Sequence, residues 1–135
     1  MEEKTFRILL TKAEQDGHDR GVRYIATKLR EAGFEVIYTN FLYPGEIVNT
    51  AVQEDVDVVG LSSSTMGHMP VLRHVVEGLR QEGREDMVVI VGGIVPDDDR
   101  DALARLGVRG IFGPGSTAEE LIGYIKTNVG GRITS

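Results

Sequence analysis

Two hydrophobic periods alternate along the chain. Five short runs rich in branched residues, Phe6 to Leu10, Phe34 to Tyr38, Val56 to Leu61, Met87 to Val91 and Val108 to Phe112, have the length and composition of strands. Between and after them the apolar positions fall three and four residues apart: Val22, Ile25, Ala26 and Leu29, then Leu72, Val75, Val76 and Leu79, then Leu121, Ile122, Ile125 and Val129. That spacing gathers the apolar side chains into one stripe along a helix. Two weaker helices fit Pro44 to Glu54, with proline in the first turn, and Asp98 to Leu106, which follows Pro96 and an aspartate able to cap.

Strand and helix in alternation, joined by short connections, predict an α/β fold: a Rossmann-like, flavodoxin-like five-stranded parallel sheet in the order 2-1-3-4-5, with helices on both faces. In that order the crossovers beside the first strand run in opposite directions, so a crevice opens at the carboxyl ends of the first and third strands. Two loops reach it, Thr11 to Arg20 and Ser62 to His68. Residues 1–135 are expected to form one domain, with a flexible tail over 130–135.

Composition narrows the partners. The formal net charge is -6, so the long-range field repels nucleic-acid phosphates and anionic lipid, and neither nucleic acid nor membrane is expected as a partner. No apolar run approaches the roughly 20 residues of a membrane span, and the acidic start Met1-Glu2-Glu3-Lys4 does not read as a signal peptide. A cytoplasmic protein is expected. The absence of cysteine removes disulfides, thiolate metal sites and cysteine nucleophiles, which leaves histidine, carboxylates or a cofactor to carry any metal.

The first loop sets His18 at the expected carboxyl edge, with Asp16 two residues before it. A metal-bound imidazole must be neutral at its ligating nitrogen, and a carboxylate accepting from the other nitrogen fixes the tautomer and strengthens the donor. Lys12 could in turn hold Asp16, and Gly17 and Gly21 leave room for a bulky group against the backbone. The same residues also read as a helix start, with Asp16 and Asp19 at its first turn and His18 in solvent; for a lone histidine that plainer reading carries more weight. The second loop, Ser62 to His68, supplies small hydroxyl groups, Gly92 and Gly93 end the fourth strand, and Phe112-Gly113-Pro114-Gly115-Ser116-Thr117 makes a glycine-rich turn into a helix whose amino end can receive phosphate or hydroxyl groups. Each has an ordinary turn reading alone. Together they outline one elongated pocket on one sheet edge.

Other constellations are weaker. His68 and His74 fit structural or surface roles, and Asp97-Asp98-Asp99 lacks the spaced oxygen ligands of a calcium loop and fits a helix start. Ser62 with His18 and Asp16 has no Gly-x-Ser-x-Gly elbow, against a hydrolase triad.

Asp16-Gly17-His18-Asp19-Arg20-Gly21 resembles the Asp-x-His-x-x-Gly signature of base-off, His-on cobalamin domains. Gly60-Leu61-Ser62 with Gly67-His68, Gly92-Gly93-Ile94-Val95-Pro96, and Gly107-Val108 with Phe112-Gly113-Pro114-Gly115 are similar, in order and spacing, to the carboxy-terminal cobalamin domain of methylmalonyl-CoA mutases, across most of the chain from Arg7 to Val129. The resemblance implies adenosylcobalamin as cofactor, with His18 as axial ligand to cobalt, Asp16 its hydrogen-bond partner and Lys12 the third member of that relay. It implies that Gly17, Asp19, Arg20, Gly21 and Ile25 flank the corrin and tail, and that Ser62, Ser64, Gly92, Gly93, Phe112, Gly113 and Ser116 line the pocket for the displaced nucleotide tail. Two positions depart from the family pattern: Ser64 stands where leucine is usual and Glu14 where glycine is frequent. The first bears on how the benzimidazole packs, not on binding itself.

The chain corresponds to the cobalamin domain alone, so the resemblance implies a small subunit of an acyl-CoA mutase of the 2-hydroxyisobutyryl-, isobutyryl- or methylmalonyl-CoA type. It would catalyse a radical 1,2-shift of the carbon skeleton with a large acyl-CoA-binding barrel subunit, and a G-protein chaperone would load the cofactor. A corrinoid carrier for methyl transfer, or a cobalamin- or light-sensing module, would carry an amino-terminal helical bundle, whereas here the first strand begins almost at once. A receiver domain would need a phosphoacceptor aspartate at the position of Ser62. Glutamate mutase's small subunit is the nearest alternative within the mutases.

Overall fold

A computed structural model describes residues 3–13, 20–63, 68–93, 95–113, 115–129 and 132–134. Five parallel strands form the sheet: β2 (Arg7–Ala13), β3 (Glu35–Phe41), β4 (Val58–Ser63), β5 (Val88–Gly93) and β6 (Gly110–Phe112), in the order β3-β2-β4-β5-β6. Counted from β2 as the first strand, this is the expected order 2-1-3-4-5. The connections run through α1 (Arg20–Glu31), α2 (Pro44–Glu54), α3 (His68–Gln81) and α4 (Asp97–Leu106), and α5 (Ala118–Asn128) follows β6.

Strand alternation sorts the core into two layers. Ile8 and Leu10 of β2, Val58 of β4, and Val88 and Ile90 of β5 pack with Val22, Ala26 and Leu29 of α1 and Leu121 and Ile125 of α5. The intervening residues Leu9, Val59, Leu61, Val89 and Val91 pack on the other face with Ile47 and Val48 of α2, Leu72, Val75, Val76 and Leu79 of α3, and Leu103 of α4. A sheet covered on both faces leaves its two edges of strand ends as the places where a ligand can reach it.

Sequence and structure differ at the strand ends. β2, β3, β4 and β5 run two to three residues past their apolar stretches, so Thr11, Lys12, Ser62, Ser63, Gly92 and Gly93 are strand residues. Ser62 pairs with Gly92 and Ser63 with Gly93, because the backbone ladder needs a neighbouring strand and not an apolar side chain. The segment expected to be a flexible tail contains β7 (Arg132–Thr134), which pairs antiparallel with β1 (Glu3–Thr5). Pairing with a segment distant in sequence makes this short strand, where no apolar period announces one.

Candidate functional site

A groove of about 940 Å³ opens at the carboxyl ends of β2, β4, β5 and β6, on the face covered by α1 and α5. Its floor follows from strand register. Leu10 lies opposite Gly60, Gly60 opposite Ile90, and Ile90 opposite Gly110, one row across four strands. Two residues further along, on the same face, Ser62, Gly92 and Phe112 make the next row. Large side chains at Leu10, Ile90 and Phe112 therefore alternate with glycine or serine, and the groove occupies the space the small residues leave. A Cβ on Gly60 would stand 2.9 Å from Leu10 Cδ2 and 3.5 Å from Ile90 Cγ1, so both neighbours lean over it. At Gly93, φ is +108° and a Cβ would overlap the Ser63 carbonyl, so this turn admits no side chain without moving the backbone.

Helix ends close the sides. Arg20, Gly21, Val22, Tyr24 and Ile25 of α1 form one wall, and Ser116, Thr117, Ala118, Glu119 and Leu121 at the start of α5 form another. Thr117 caps α5 by accepting from the Glu120 N–H at 3.1 Å, and this amino end, with its partial positive charge, faces the groove. Phe112 is held edge-on by Tyr124, with ring centroids 5.3 Å apart. Burial pushes the Tyr124 phenol above its usual range, against a smaller opposing pull from Arg109.

Of the residues selected from the sequence, Arg20, Gly21, Ile25, Ser62, Gly92, Gly93, Phe112, Gly113 and Ser116 all border this one groove. Lys12 does not. It is buried in β2, and its ammonium donates to the Ala13 carbonyl at 3.3 Å, immediately before the segment that carries Asp16 and His18. Asp16, Gly17, His18, Asp19 and Ser64 lie outside the described residues. The sequence reading missed Leu10, Ile90, Tyr24 and Glu119 as lining residues; for Leu10 and Ile90 the signal was the parity of Gly60, Ser62 and Gly92, small residues on one face of adjacent strands. His68 belongs elsewhere. It is buried at the start of α3, with Nε2 2.9 Å from Asp99 Oδ2, and does not line the groove.

A doubly wound parallel sheet with an apolar slot at its topological switch point and hydroxyl groups at the mouth defines a ligand-binding domain of flavodoxin-like topology. The chain matches the B12 binding domain family over residues 6–122 and belongs to that family. It is 41% identical over 133 residues to the 2-hydroxyisobutanoyl-CoA mutase small subunit of Aquincola tertiaricarbonis, covering 98% of each chain. To the pivalyl-CoA mutase small subunit of Xanthobacter autotrophicus it is 46% identical over 121 residues, covering 88% of this chain and 80% of that one. A methylmalonyl-CoA mutase from Cereibacter sphaeroides is 41% identical over 125 residues, and there the match spans 89% of this chain but 18% of that protein. Among solved structures, a cobalamin-binding protein from Desulfitobacterium hafniense superposes with a TM-score of 0.74 at 28% identity, over 93% of this chain and 59% of that one. The signal receiver domain of NarL from Mycobacterium tuberculosis superposes with a TM-score of 0.73 at 15% identity over 93% of this chain and 96% of that one, a likeness of fold alone.

Proposed function

We propose that the chain is the cobalamin-binding small subunit of a two-chain adenosylcobalamin-dependent acyl-CoA mutase. The observation that carries this reading is the match along 98% of both chains to a mutase small subunit, together with a groove suited to the cofactor's tail. That tail is a flat, largely apolar base joined to a ribose and a phosphate. Leu10, Ile90 and Phe112 offer apolar surface for the base, Gly92 leaves it space, and Ser62, Ser116 and the amino end of α5 offer hydrogen bonds to the ribose and phosphate. In this reading His18 would hold the cobalt through one ring nitrogen, Asp16 would accept from the other and Lys12 would hold Asp16, while Gly17, Asp19, Arg20, Gly21 and Ile25 would flank the corrin and Ser64 and Gly113 would border the tail.

When bound, the cofactor supplies a cobalt–carbon bond whose homolysis initiates the carbon-skeleton rearrangement. This subunit's own part is to grip the tail, orient the corrin and set the axial donor. The acyl-CoA is bound by a large subunit, read as a barrel, and a G-protein chaperone loads the cofactor. Among the described residues no helix is long and apolar enough to cross a membrane, and the reading places the enzyme in the cytoplasm.

The test is a titration with cobalamin followed by ultraviolet-visible and electron paramagnetic resonance spectra of the cobalt(II) state, using nitrogen-15-labelled histidine in the wild type and in His18→Ala. Superhyperfine coupling from a protein nitrogen in the wild type, absent in the variant, is expected. Benzimidazole still on cobalt in the wild type would remove His18 from the site.

A further inference from the structure

We propose that His68 and Asp99 form a side-chain tie that holds one wall of the groove in shape and thereby positions the nucleotide tail, an inference that rests on the cobalamin reading above. β4 and β5 end side by side, with Ser63 opposite Gly93. From these neighbours the chain leaves by two short connections for α3 and α4, whose first turns carry His68 and Asp99. His68 Nε2 and Asp99 Oδ2 are 2.9 Å apart, so the two connections, which begin together at the strand ends, are joined again at their far ends. The result is a closed ring of chain. Its base is Ser62, Ser63, Gly92 and Gly93, all bordering the groove.

The burial of His68 makes packing alone a poor account of it. Its side chain is 5% exposed, and Nδ1 has no hydrogen-bond partner among the described residues. An unmet buried nitrogen is unfavourable relative to an apolar side chain of similar size, so a leucine would fill this position better if filling were its role. What histidine adds is the bond from Nε2 to a partly exposed carboxylate on the neighbouring helix. Neither side chain lines the groove, so both are positioning residues. The backbone they hold has little slack, since Gly93 already sits against the Ser63 carbonyl.

The experiment titrates the full chain with cobalamin and with cobinamide, the corrinoid that lacks the nucleotide tail. Breaking the tie with His68→Leu or Asp99→Ala is expected to weaken cobalamin binding by about tenfold, the scale of one charge-assisted hydrogen bond, and to leave cobinamide within about twofold. His68→Gln and Asp99→Asn, which keep a donor and an acceptor, stay within about threefold, and the double variant His68→Leu/Asp99→Ala is no weaker than either single one. Amide exchange in the cofactor-free protein reads the tie without any corrinoid: Ser63 and Gly93 exchange faster in the broken variants while Leu9 is unchanged. Equal losses for both corrinoids, an unchanged cobalamin affinity, or unaltered exchange at Ser63 and Gly93 would each overturn the proposal. Failure of the wild type to bind cobalamin would instead sink the cobalamin reading, and the exchange result would still decide the tie.

Discussion

The two ends of the sheet are built from opposite materials. At the amino ends of the strands, charged side chains close over the backbone: Arg7 pairs with Glu35 at 2.7 Å, the Arg7 N–H donates to Asp57 at 2.8 Å, and Arg84 bridges Asp55 at 2.7 Å and Asp86 at 3.0 Å. At the carboxyl ends of β4 and β5 stand Ser62, Ser63, Gly92 and Gly93 instead, and the groove lies beside them. One end is finished within the chain. The other carries the groove, which is where a doubly wound sheet places its chemistry.

Substitutions at the two ends should therefore separate stability from binding. The largest effect is expected at Gly93→Ala, where the positive φ and the overlap with the Ser63 carbonyl together destabilise the fold by about 3 kcal/mol, read from the shift in urea midpoint at unchanged slope. A loss below about 1 kcal/mol would mean that this strand end relaxes and is not held. Gly60→Ala comes next. Leu10 can rotate away from the new methyl, so stability falls by only about 1 kcal/mol, while the methyl stands on the groove floor and cobalamin affinity drops by about tenfold or more.

At the closed end the pattern should reverse. Arg84→Ala removes ion pairs whose carboxylates are more than half exposed, so about 0.5 kcal/mol is lost and cobalamin affinity does not change. The pH dependence carries a sign. The hydrogen bond from Arg84 holds Asp86 below its ordinary value, so the folded chain releases this proton more readily than the unfolded chain does. The contribution is present above about pH 4 and fades as the pH falls through the depressed value; the wild type should lose its excess stability over Arg84→Ala in that window. The smallest effect is Gly21→Ala. No atom lies within 4 Å of the new methyl and the position is helical, so the fold gains about 0.5 kcal/mol while cobalamin binding weakens severalfold. A variant more stable and equally good at binding would take Gly21 out of the site.

Part of the groove could be read from the chain because its signals are local. Glycines closing a strand and a Gly-Pro-Gly turn into a helix declare themselves within a few residues, and Gly92, Gly93, Phe112, Gly113 and Ser116 all border the groove. Lys12 is buried in the strand that leads towards His18; its ammonium donates to the Ala13 carbonyl, and it does not border the groove. The pairing of His68 with Asp99 could not be foreseen, since nothing in either helix start indicates that two turns 31 residues apart face one another.

The sequence by itself determined the strand and helix order, the layering of the core and the class of cofactor, because hydrophobic period and short motifs act through near neighbours along the chain. Only the tertiary structure decided where strands end, how the termini pair as β1 and β7, and which small residues fall into one row. Those depend on register between distant strands. A shift of one residue would turn Gly60, Ser62 and Gly92 to the opposite face and leave no groove under α1 and α5.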